Sequence, residues 1–144
     1  MPLNLLKLCV GAESVEDLEN WIAQRFRVGG DRLFRGLPYH TTRMVPKRVD
    51  PLLEGGSLYW VIKGSVQCRQ RLVDIVPFTD GEGIGRCHLV LDQEVVRTDW
   101  QPRRPFQGWR YLEVKDAPVD LRAGEGAGAI PPELKRELAG LGLL

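Results

Sequence analysis

Residues 3–10 form a short apolar run closed by Gly11, the pattern of a buried strand. From Ser14 onward the period changes. Val15, Leu18, Ile22 and Phe26 recur at helical spacing with Trp21 beside them, so a helix is expected over residues 14–28. Ser14 with Asp17 three positions later is a capping-box variant, in which side-chain oxygens satisfy backbone N–H groups left free at a helix start. Glu16, Asp17 and Glu19 stand in the first turns and Arg25 and Arg27 in the last, the charge order that suits the helix dipole. Gly29 and Gly30 end the helix.

Leu33 and Phe34 either begin a short strand or anchor a loop, and Pro38 and Pro46 exclude a long helix between them and residue 50. A single helical turn is expected at 50–53. Residues 58–63, LYWVIK, are the clearest strand, with Gly55-Gly56 before and Gly64 after. A second strand follows at 66–77. Val66, Cys68, Gln70, Leu72 and Val76 share one parity; Arg69, Arg71, Val73 and Ile75 share the other. Apolar residues on both parities predict a curved or bulged strand. A Gly-rich turn at 79–85 leads to strands at 86–91 and 93–99, a basic Pro-containing loop at 102–108, and a last strand at 109–114. Beyond a Gly-rich connection at 124–129, Leu134, Leu138 and Leu141 mark a short helix starting at Pro131 or Pro132. The order predicts one α+β domain over 1–144, with 116–144 as linker and helical extension. Its sheet is expected to be strongly curved and mainly antiparallel, or a small β-barrel, packed by an N-terminal and a C-terminal helix.

Composition is that of an ordinary folded chain: 144 residues, 43% hydrophobic and 27% charged. The net charge of +1 is unevenly spread. Residues 32–115 carry 14 Lys/Arg against 9 Asp/Glu, and the rest carry 6 against 10, a basic body with acidic flanks. Cys9, Cys68 and Cys87 form no CxxC and no even set, which suggests reduced thiols and a cytoplasmic setting. No run reaches the roughly 20 apolar residues of a membrane helix, so no membrane partner is expected. The N-terminal apolar run lacks a basic lead and reads as a strand instead of a signal peptide.

The basic charge concentrates around the 58–63 strand. Arg35, His40, Arg43, Lys47 and Arg48 precede it, Lys63 ends it, and Arg69 and Arg71 follow. Arginine grips phosphate or carboxylate with two parallel hydrogen bonds and lysine acts as a point charge. Tyr39, Tyr59 and Trp60 are interleaved, and aromatic faces stack bases. The candidate ligand-binding set is therefore His40, Arg43, Lys47, Arg48, Tyr59, Lys63, Arg69 and Arg71. The competing reading is a solvated surface paired with Asp50, Glu54 and Asp74. The 97–110 tract holds Trp100, Trp109 and four arginines, suited either to clasping a single strand or to capping the core. Gly81, Gly83 and Gly85 mimic a phosphate loop, but a strand follows where a helix N-terminus is needed, so a hairpin turn is expected. His40 and His88 with three scattered cysteines give no metal-ligand spacing, and neither metal nor cofactor is expected.

The segments LNLLKLCVGAESVEDLENW, TRMVPKR, GGSLYWVIKGSVQCRQR and IGRCHLVL together resemble a bacterial family known only as a domain of unknown function, number fourteen-eighty-nine. The resemblance spans nearly the whole chain and implies no activity. A looser similarity is to PUA-like and ASCH-type domains, through Thr-Arg near a proline, Leu-Leu-x-Gly-Gly, and the apolar strand after it. That likeness implies a small β-barrel with flanking helices, many of which bind RNA. Some ASCH-type proteins resemble amidohydrolases of modified nucleosides that use Lys, Thr and Glu. Thr42, Lys47 and Lys63 would be the counterparts, with no equivalent Glu. The leading expectation is RNA or nucleotide binding, with Arg43, Lys47, Arg48 and Lys63 on phosphates. The alternatives are a small hydrolase of a modified nucleoside, with Lys63 or His40 as base, and a protein-interaction module using the tryptophans of 97–110.

Overall fold

A computed structural model describes residues 2–28 and 33–121. The expected C-terminal helix at 131–141 and the Gly-rich connection before it lie outside these residues. Strand β1 (Leu3–Leu8) leads into helix α1 (Val15–Val28), then β2 (Tyr39–Thr42), a one-turn helix α2 (Val49–Leu53), β3 (Ser57–Ile62) and β4 (Ser65–Thr79). Strands β5 (Gly85–Leu91), β6 (Val96–Pro102) and β7 (Trp109–Glu113) follow, with a 3-10 turn at Val114–Asp116. The strands form one open sheet in the order β2-β5-β4-β3-β1-β7, with β6 also on β4.

One expectation needs correcting. The sheet does not close into a barrel: its path runs from β2 to β7 without pairing the ends. The sheet is mainly antiparallel, as expected, and is mixed only through the parallel pairing of β1 with β3. The α1 crossover explains the parallel pair, since a hairpin cannot place two strands side by side in the same direction.

The fifteen-residue β4 organises the sheet. Its first half is flanked by β3 and β6, and its second half by β5. The Asp92 N–H donates to the Arg71 carbonyl across the join, so β5 and β6 run as one interrupted partner strand. Register shifts near residue 67 and at residues 72–74 explain the mixed parity of the sequence. Val66 and Cys68 have equal parity yet enter opposite apolar clusters, while Leu72 and Ile75 have opposite parity and enter the same one. Each shift inserts one residue and turns the following side chains over.

One face of the sheet is covered by α1 and α2. Leu3, Leu5, Leu58, Trp60, Ile62, Cys68, Leu72 and Leu89 pack there with Val15, Leu18 and Ile22 of the helix. Phe26 and Trp21 do not complete the stripe; both stay more than a third exposed. The Ser14 hydroxyl accepts from the Asp17 N–H at 3.2 Å, and the Asp17 carboxylate accepts from the Glu13 N–H at 2.9 Å, so the expected cap is present with a shifted return bond. The opposite face buries Leu6, Tyr59, Val61, Val66 and Leu112 beneath the chain that follows β6. Gly56, where α2 meets β1 and β3, has no room for a side chain: a Cβ there would overlap the carbonyl oxygens of Leu3 and Leu52.

Candidate functional site

The short strand β2 was not foreseen, and it carries the site. Tyr39–Thr42 is polar and follows Pro38, so it offers no apolar alternation. It is a strand because it pairs β5, with His40 opposite Leu89 and Thr42 opposite Cys87. Those partners belong to the helix-covered core, so the imidazole of His40 points inward. Its ring meets the indole of Trp60 edge-on, with centroids 5.4 Å apart.

His40 borders a cavity of about 180 Å³ between α1 and the sheet. Leu18 and Ile22 of α1, Trp60 of β3 and Leu91 of β5 give it apolar walls, and Arg25, Gln70 and Cys9 supply polar groups. Gln70 is fixed at both ends: its side-chain oxygen accepts from Trp60 Nε1 at 2.9 Å, and its amide donates to the Asp92 carbonyl at 2.8 Å. Arg25, in the last turn of α1, donates from Nη1 to the Tyr39 carbonyl at 3.0 Å and ties the helix end to β2. Lys7 stands beside Trp60 across the β1–β3 pair, on the core face.

The electrostatics of this site are one-sided. Among the described residues no Asp or Glu lines the cavity. Burial, then the Lys7 and Arg25 charges, pull His40 down from 6.5 to about 4, so the imidazole is neutral at pH 7. Burial also lowers Lys7. Burial, with the Asp17 charge adding to it, pushes the Cys9 thiol up to about 11, which excludes it as an activated nucleophile.

The other expected site residues are distributed elsewhere. Lys47 and Arg48 sit before α2, where both N–H groups donate to the Tyr111 hydroxyl at 3.0 and 3.2 Å. The Arg48 guanidinium lies 5.7 Å from the Tyr111 ring centre. Arg43 and Arg71 are exposed. Lys63 is not the end of a strand: with Gly64 it forms the two-residue β3–β4 turn, at φ 51°, and its ammonium is 3.7 Å from Glu13. Arg69 and Tyr59 are cross-strand neighbours on the face away from α1. Arg69 grips both carboxylate oxygens of Asp120 and also the Ser57 hydroxyl. Of the eight candidates, only His40 reaches the cavity. Thr42 spends its hydroxyl on the Met44 carbonyl, so it and Lys63 do not form a catalytic group with a carboxylate.

The 97–110 tract is largely engaged. Trp109 is buried and donates from Nε1 to the Met44 carbonyl at 2.7 Å. Arg97 pairs with Glu16 and Glu19 of α1, Arg103 with Gln101, and Arg110 lies over Phe106. The 80–84 turn is the expected hairpin, held by Asp80, whose side chain accepts from the Glu82 and Ile84 N–H groups and pairs Arg86. Among the described residues no three or more His, Cys, Asp or Glu are grouped to hold a metal, and no helix is long and apolar enough to cross a membrane.

A family model matches residues 5–144. The chain belongs to the family described as Protein of unknown function (DUF1489). Neither a curated protein nor a solved structure matches it. Membership in the DUF1489 family brings no activity with it, so the chemistry of the cavity has to carry the functional reading.

Lys7, Arg25, Cys9 and Gln70 were not singled out as site residues from the sequence. A signal existed for Lys7, a lone charge on the inward parity of an otherwise apolar strand. None existed for Arg25, which matched an ordinary helix terminus.

Proposed function

We propose that this domain binds a small molecule made of a flat apolar ring and an anionic group, in the cavity between α1 and the sheet. The observation that carries the reading is the pairing of apolar walls with Arg25 in the lining and with the charge of Lys7 close enough to act on His40, two cations with no carboxylate partner among the described residues. Cations turned toward a partly desolvated space are costly unless an anion offsets them. The volume is below that of a pocket for a drug-sized ligand, so it suits one ring system with its charge near the mouth. A nucleotide meets this description, and the sequence's loose likeness to PUA-like and ASCH-type domains favours the same class. The dispersion of Arg43, Lys47, Arg48, Lys63 and Arg71 argues for a mononucleotide over an RNA strand, which requires phosphate contacts along a track.

The test is a binding titration followed by tryptophan fluorescence. Benzenesulfonate and adenosine monophosphate are compared with their uncharged counterparts, benzenesulfonamide and adenosine. The anions should bind at least about tenfold more tightly, and Arg25→Gln should remove most of that preference. Equal binding of charged and uncharged partners, or no binding of either, rejects the reading.

A further inference from the structure

We propose that an anion enters this cavity together with a proton taken up by His40, so that ligand binding and protonation are one coupled event. The inference rests on the anion-binding reading above and assigns a regulatory role to the same site. His40 borders the cavity as a neutral imidazole on which two cations act. Arg25 lines the cavity from α1, and the charge of Lys7 on β1 also acts on the ring. Among the described residues that line the cavity there is no other charge. Trp60 of β3, Gln70 of β4 and Leu89 of β5 are uncharged, and Cys9 at the end of β1 stays a thiol. Tyr39 and His88 contact each other on the other face of β2 and β5.

Neither nitrogen of His40 has a hydrogen-bond partner among the described residues, and its ring meets the Trp60 ring edge-on. One nitrogen already carries a proton in the neutral form and the other has a free lone pair. An anion beside Lys7 and Arg25 cancels the repulsion they exert on a third positive charge. The free nitrogen then takes a proton from bulk solvent and donates a charge-assisted hydrogen bond to the ligand. The only covalent change is one new N–H bond, and the proton is released to solvent when the anion leaves. Linkage makes the relation reciprocal: acidification tightens anion binding, and anion binding raises the proton affinity of His40.

Benzenesulfonate is the suitable probe, because it remains an anion at every pH used and any proton taken up belongs to the protein. Calorimetric titration at about pH 6, in two buffers of different ionisation enthalpy, reads the protons bound per ligand. The wild type should take up roughly half to one proton, and His40→Gln none. In parallel, NMR titration of the His40 ring in the wild type should show its midpoint rising by about two units with benzenesulfonate present. Binding without proton uptake, or uptake that persists in His40→Gln, overturns the coupling and leaves the anion site standing. Absence of benzenesulfonate binding overturns both. The NMR measurement decides the matter even where His40→Gln fails to fold.

Discussion

The inward placement of His40 has a consequence for stability that needs no ligand. In the unfolded chain its imidazole titrates near 6.5; in the fold it titrates at about 4. The folded value lies below the unfolded one, so the unfolded state binds the proton first. Stability is therefore full above pH 6.5, falls as pH drops from 6.5 to 4, and levels below that. A depression of this size corresponds to about 3 kcal/mol across the window, most of it lost by about pH 4.5. Urea unfolding at pH 7.5 and pH 4.5, for the wild type and His40→Gln, isolates this contribution because the carboxylates titrate in both proteins. The wild type should lose about 2 kcal/mol more than the variant between the two pH values. Burial is the leading cause of the shift, so Lys7→Gln combined with Arg25→Gln should restore less than about half of it. Equal losses in the wild type and His40→Gln would refute the argument, since the ring would then be solvated in the fold.

Three further outcomes follow from other parts of the molecule. Gly56→Ala should destabilise by more than about 3 kcal/mol or prevent folding, as read by thermal unfolding, because the added carbon meets fixed backbone oxygens of Leu3 and Leu52. Asp120→Asn should cost about 1 kcal/mol in urea unfolding, by weakening the two-pronged grip of Arg69 on a half-exposed partner. The Arg69 hydrogen bond also holds Asp120 below the usual carboxylate range, so this contribution is present at neutral pH and disappears as pH falls through the lowered value. Cys9 should react with iodoacetamide at pH 7.5 on the order of a hundredfold more slowly than a free thiol, followed by mass spectrometry, because its thiolate is scarce and its sulfur is buried.

Much of the fold was written in local pattern. The apolar run of β1, the capped and charge-ordered α1, the glycine-bracketed β3 and the turn around Asp80 each depend on residues close in sequence, where period, cap chemistry and turn chemistry act directly. Mixed parity even announced the register shifts of β4. What local pattern misjudged was the meaning of charge. Lys63 and the residues before β3 looked like one basic site because they are near one another along the chain, yet the hairpin puts Lys63 at a tip beside Glu13, and pairing sends Arg69 to the far face with Asp120. Arginine carries the same charge whether its partner is a ligand or an aspartate fifty-one residues away, and nothing local distinguishes the two.

The sequence by itself determined that this is an α+β chain with a helix after its first strand, a strongly apolar Leu58–Ile62 core and a surplus of basic side chains around it. Only the tertiary structure decided which of those side chains share a space. β2 is a strand through its pairing with β5, and the cavity exists because a helix terminus, a parallel strand pair and that short strand meet there. His40 is the one candidate common to both descriptions. Its neutrality comes from desolvation and from Lys7 and Arg25, residues thirty-three and fifteen positions away along the chain. Electrostatic effects depend on distance and burial in space, and those quantities are fixed only when the chain has folded.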